Sequence, residues 1–363
     1  MPTTQSDVIK WYDPKRYKPL AWPKDDGIRY QVMADTLQLL RGQSENNPFH
    51  NNLPQQVLAA GWSFTGSLLR SFINYGFHDT YRQHNGAPLI DGYLVGISSR
   101  WNGMGVLPIN SDQDKPSMDD AVRELKSIDV PVIEFLTEFE VAAGDGPQRP
   151  DSDAKVGSHR LYELGAAIHS DQQLIDKGGN RLNRTNIVQL AQKGYPVDEV
   201  KGEDPSANCI IPMSDVPQGP LARAAVDNLR QWVANGTKPP HAGQLRLDAE
   251  GKVLRDNHDN PLGGFPIAEF ALPLASYHSV SSERANCQLS GSRPLMVREN
   301  FSAKELAAMY GSPENYMQRY SNYTKTLVDE RWLLPEDAEQ MIARMQSIAR
   351  AAFAEGDQLV EKF

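Results

Sequence analysis

A serine, a carboxylate and a histidine follow one another along this chain, each just past an apolar run. Ser63 lies in Gly61-Trp62-Ser63-Phe64-Thr65-Gly66, with Val57-Leu58-Ala59-Ala60 leading in and the helix-patterned Leu68-Leu69-Arg70-Ser71-Phe72-Ile73 leading out. Hydrolases present a nucleophilic serine on such a strand-to-helix turn. Small neighbours let the two backbones close up, so Gly61, Thr65 and Gly66 are expected to be small for that reason, and the helix N-terminus aims free N–H groups at the reacting centre. The usual pattern is G-x-S-x-G. Here Thr65 fills the second glycine position and Gly66 comes one place later. Taken alone, a tight turn with an incidental serine would look the same.

The downstream residues separate the two cases. One apolar run ends in Thr137-Glu138-Phe139-Glu140-Val141, and the next in Gly165-Ala166-Ala167-Ile168-His169. The order serine, acid, histidine is that of the α/β-hydrolases and differs from the orders of other serine hydrolases. Ser63 precedes Glu140 by 77 residues, and Glu140 precedes His169 by 29. Each type has a task. A serine hydroxyl is a poor nucleophile until an imidazole takes its proton. Histidine can do this near neutral pH, and the carboxylate fixes the ring tautomer and stabilises the imidazolium. Glu140 is the preferred acid and Glu138 the alternative. Either could instead be a solvated loop acid, and His169 a loop histidine without a role; the shared order is what argues otherwise. His159 begins a strand, at the wrong end for catalysis. His78, His84, His241, His258 and His278 show no strand-end acid at useful spacing. Arg100 and Trp101 follow a strand and could line a pocket or serve structure alone.

These residues need a scaffold, and the patterning supplies one. Strands are expected at Gln56–Gly61, Ile90–Ile97, Val130–Leu136 and His159–Leu164. Helices are expected near Tyr30–Leu40 and at Thr65–Tyr75, Met118–Lys126, Leu221–Ala234, Ala303–Tyr310, Pro313–Val328 and Pro335–Ala352. Leu245–Gly264 reads as a hairpin. Strands alternating with helices point to an α/β fold with a mostly parallel sheet. Parallel strands would bring the three chemical loops to one edge. The chain reads as one domain: an irregular segment 1–55, a catalytic sheet region 56–175, and a C-terminal region 176–363 with long helices.

Composition narrows the partners. The 363 residues are 40% apolar and 23% charged, with net charge −9. No basic stretch stands out, which argues against nucleic acid. No apolar run approaches the ~18 residues of a membrane span. The N-terminus has no signal-peptide core; a secreted or periplasmic origin stays open if an upstream part is missing. Cys209 and Cys287 cannot alone make a four-ligand zinc site. They are two thiols or one disulfide. No metal or cofactor is expected.

The same motifs, with others, resemble a family of α/β-hydrolase-domain proteins, largely bacterial. Its serine motif reads roughly G-x-S-Q-[ST]-[GA], its acid motif T-E-x-D, and its histidine motif R-L-[YW]-E-V-A-G-x-x-H. The last is similar to Arg160-Leu161-Tyr162-Glu163-Leu164-Gly165-Ala166-Ala167-Ile168-His169. Asp13-Pro14-Lys15-Arg16-Tyr17, Cys209, the stretch from Trp232 to Pro240, Pro261-Leu262-Gly263-Gly264, Cys287-Gln288-Leu289-Ser290-Gly291-Ser292 and Leu333-Leu334-Pro335-Glu336-Asp337-Ala338 also have counterparts. The resemblance implies an α/β-hydrolase fold and a carboxylic-ester hydrolase, with Ser63 as nucleophile, Glu140 as acid and His169 as base. The backbone N–H of Phe64 would serve the oxyanion, and a small-molecule ester would be the substrate. It also implies that family members with a secretory signal pair the two cysteines. Phe64 departs from the family's polar residue, and Glu140 stands where the family has aspartate.

An α/β-hydrolase sheet normally has several strands ahead of the serine strand. Only 62 residues precede Ser63, and residues 1–54 show no convincing strand. The expectation is a sheet lacking its first strands. Phe64 would then be left as the oxyanion donor, and the serine strand would have an open edge. Such an edge favours self-association or a second chain completing the sheet. Two functional classes follow: an active serine esterase, or a weakly active or inactive remnant serving as an interaction module.

Overall fold

The computed structural model describes the chain outside residues 1–9, 11–12, 20, 22, 99–104, 118, 143–148, 169–213, 215, 282–293 and 356–363. Helix α1 (Arg29–Arg41) precedes strand β1 (Leu58–Trp62), which turns directly into helix α2 (Phe64–Asn74). Strands β2 (Gly92–Gly96), β3 (Val132–Thr137) and β4 (His159–Leu164) follow, with the short helix α3 (Glu138–Ala142) starting where β3 stops. The strands lie side by side in the order β1-β2-β3-β4, all parallel. Their C-terminal ends therefore share one edge. Trp62 pairs with Gly96 there, and Thr137 with Leu164.

Alternating side chains divide the core between the sheet faces. Tyr93, Val95 and Val132 meet Leu69, Phe72 and Ile73 of α2 and Tyr30 of α1. Leu94, Ile133 and Phe135 meet Leu221, Ala225 and Leu229 of helix α4 (Gln218–Asn235). All residues of β2, β3 and β4 are buried. In β1 only Gly61 is, and Ala60 is exposed.

Beyond α4, strands β5 (Ala275–Ser281) and β6 (Pro294–Asn300) form an antiparallel pair. Helices α5 (Ala303–Tyr310), α6 (Pro313–Asp329) and α7 (Pro335–Glu355) close the fold. Ser302 and Glu305 build a reciprocal capping box at the start of α5. Ser312 caps α6 ahead of Pro313. No described helix is long and apolar enough to cross a membrane.

The expected strands and long helices lie within a few residues of the observed ones, with three differences. Among the described residues of Met118–Lys126 no long helix forms, but a single tight turn, Ala121–Arg123, does. Asp120 caps that turn, and the Arg123 guanidinium folds back onto the carbonyls of Pro116 and Ser117. Those local bonds satisfy the segment without a helix. Leu245–Gly264 is two successive turns, each closed by an isolated bridge, Leu247 to Val253 and Arg255 to Pro261. The pair β5–β6 was not foreseen, although Ala275 and Tyr277 are buried in the alternation a strand would show.

Candidate active site

Ser63 stands between β1 and α2 at φ 59°, ψ −125°. L-residues rarely occupy this region, and such strain clusters at functional sites. The surroundings enforce it. The Ser63 N–H donates to the Gly96 carbonyl of β2 (3.0 Å), and the Ser63 carbonyl accepts the Ser67 N–H (2.9 Å). A Cβ on Gly61 would sit 2.4 Å from the Thr65 carbonyl oxygen, and one on Gly66 2.5 Å from the Gly96 carbonyl oxygen. Both glycines are thus required by close backbone approach. Thr65 is not held to the same limit. Its side chain is exposed, and its hydroxyl accepts the Trp62 N–H (2.9 Å) and bonds the Trp62 carbonyl (2.8 Å). Phe64 opens α2 at the positive end of the helix dipole, and the residue is 61% exposed.

The two acids have different surroundings. Both are buried at the start of α3. The Glu140 carboxylate accepts the Thr137 N–H (2.9 Å) and the Thr137 hydroxyl, so it lies back over the end of β3. Glu138 splits its oxygens. Oε1 pairs with Arg255 Nη2 at 2.6 Å, and Oε2 accepts the Ala166 N–H at 2.5 Å. Burial pushes the Glu138 carboxyl up, against the pull of Arg255. The segment after β4 is described as far as Ile168, packed in the core beside Ala166 and Ala167. His169 itself lies outside the described residues, as do Arg100, Trp101, Cys209 and Cys287.

Three of the five histidines without a strand-end acid do have acid partners elsewhere in the fold. His78 pairs with Asp129, His241 with Asp151 and His278 with Asp259. Asp129 and Asp151 precede β3 and β4, at the opposite sheet edge from Ser63. The tertiary fold brings these partners in from elements that sequence spacing does not relate.

Sequence reasoning also missed a buried ionic chain between α2 and strands β3 and β4. Arg70 of α2 donates to the Ser98 carbonyl through Nε (2.8 Å) and pairs with Glu134 of β3. The other Glu134 oxygen lies 3.0 Å from His159 Nε2. Burial opposes the Glu134 charge, yet Arg70 and His159 hold its carboxyl down at about 2. Ser98 Oγ reaches Ser67 Oγ at 3.2 Å. A glutamate inside the apolar run Val132-Ile133-Glu134-Phe135-Leu136 was the available signal, because an unpaired charge is not tolerated there.

An open groove of about 500 Å³ runs along β1, lined by Leu58, Ala60 and Trp62 and by Ala222 and Val226 of α4. It stops at Trp62, short of Ser63. Among the described residues no cluster of His, Cys, Asp or Glu is placed to hold a metal ion.

A family model described as "Alpha/beta hydrolase domain" matches residues 2–343. The chain belongs to the alpha/beta-hydrolase domain family. Neither curated proteins nor solved structures gave a match. Membership of this alpha/beta-hydrolase family makes hydrolysis, in general terms, the expected chemistry. In such a fold the serine turn after β1 and the acid after β3 belong to the same edge.

Proposed function

We propose that this alpha/beta-hydrolase cleaves a carboxylic ester through an acyl-enzyme, with Ser63 as nucleophile, His169 as base and Glu140 as the triad acid. The observation that carries the proposal is the backbone of Ser63, whose φ of 59° lifts its side chain off the strand at the head of a helix. Ser63 Oγ attacks the ester carbonyl carbon, and its proton passes to His169. The oxyanion that forms accepts the Phe64 N–H. The carbon–oxygen bond to the alcohol then breaks, and the alcohol leaves with the proton from His169. Water adds to the acyl-enzyme, giving its proton to His169, and the acid departs as Ser63 regains it. Glu140 is preferred over Glu138 because the Glu138 oxygens already accept from Arg255 and Ala166.

A fluorophosphonate probe tests the proposal. Wild-type protein should be labelled, Ser63→Ala protein should not, and His169→Ala protein should be labelled only at a slow residual rate. Equal labelling of Ser63→Ala would refute the nucleophile. One observation favours a second role, as an interaction module. Among the described residues β1 pairs only with β2, and its other edge borders the apolar groove. Folded protein that resists labelling would favour that role.

A further inference from the structure

The residues after β4 are strained and tethered at one point. Ala166 sits at φ 49°, a left-handed conformation that alanine rarely adopts. It is fully buried, and three residues later comes His169. Its N–H donates to Glu138 Oε2 at 2.5 Å. Glu138 is itself anchored, since Oε1 accepts Arg255 Nη2 at 2.6 Å. Arg255 is fixed in turn by its Nη1, which donates to the carbonyls of Tyr277 (2.8 Å) and Asp259 (3.1 Å). A chain of bonds therefore runs from β5 through Arg255 and Glu138 to the turn that leads toward His169. The bonds at Glu138 are charge-assisted, which makes them short and directional.

We propose that Glu138 is a positioning residue. Its carboxylate, locked by Arg255, pins the left-handed Ala166, three residues ahead of the proposed base His169. This rests on the triad assigned above. Glu138 touches no reacting atom; it acts through the histidine. The two acids of the Thr137-Glu138-Phe139-Glu140 motif then divide the work, Glu140 serving the imidazole and Glu138 the backbone that carries it. A misplaced catalytic group loses rate steeply, on the order of a hundredfold for 1 Å.

A double-mutant cycle on the full chain tests this. The readouts are the fluorophosphonate labelling rate, kcat and KM on p-nitrophenyl butyrate, and the thermal midpoint. Glu138→Gln should slow labelling by about tenfold to a hundredfold, and kcat should fall with KM nearly unchanged. Added to His169→Ala, the same substitution should change the residual rate little, because the two act as one unit. Glu138→Gln labelling at the wild-type rate would overturn the proposal. So would an equal loss with and without His169, which would mean a general structural effect. If Glu138→Gln does not fold, Arg255→Gln keeps the carboxylate and removes its anchor; it should slow labelling in the same His169-dependent way, and wild-type labelling there overturns the proposal. Failure of the triad itself looks different: His169→Ala would label as fast as wild type.

Discussion

Replacing Ser63 by glycine should make the protein more stable than replacing it by alanine. The backbone there lies at φ 59°, ψ −125°, where a Cβ is strained by on the order of 1–3 kcal/mol. Alanine keeps the Cβ and loses only the hydroxyl, so it retains the strain. Glycine relieves it but has more freedom in the unfolded chain, which offsets about 0.5–1 kcal/mol. The balance favours Ser63→Gly over Ser63→Ala by roughly 0.5–2 kcal/mol. At an unstrained site the sign is opposite, so the comparison isolates the turn. Urea unfolding with both variants at a common slope would read the difference, and thermal midpoints should separate by about 2 °C for each kcal/mol. Both variants should lack esterase activity. If Ser63→Gly is the less stable of the two, the serine turn is relaxed and the claim of stored strain fails.

Other expectations follow from neighbouring groups. Glu140→Gln should lower kcat on the order of a thousandfold or more, since an amide cannot stabilise the imidazolium; a smaller loss than that of Glu138→Gln would make Glu138 the triad acid. Burial raises the Glu163 carboxyl from 4.5 to about 7, so folding favours its neutral form. That stability is full below pH 4.5 and is lost as pH rises through 7, to a total of about 3 kcal/mol. Glu163→Gln should flatten this slope in denaturant titrations between pH 4.5 and 8, and an unchanged slope would assign it to other groups. The edge of β1 that is unpaired among the described residues should drive self-association, and Ala60→Lys should weaken it by placing a charge there. Sedimentation velocity checks both, and a monodisperse wild-type monomer would count against the open edge.

Residue types and their spacing along the chain were enough to show an α/β fold and to place Ser63 on a strand-to-helix turn, because each depends on local pattern. Apolar runs of strand length alternate with helical periods, and β4 was read to the residue as His159–Leu164. Gly61 and Gly66 flag the serine turn because only glycine tolerates backbone oxygens at 2.4 and 2.5 Å. Partnership was not legible. Glu138 and Glu140 look alike in sequence, and only the fold commits Glu138 to Arg255, 117 residues away. The pairing of Arg70 with Glu134 and of His78 with Asp129 came likewise from tertiary contact. The helix expected at Met118–Lys126 yielded to a turn because Arg123 found carbonyl partners nearby. Periodicity fixes which face of an element is apolar. Which charges meet beneath that face is decided only when the elements close on one another.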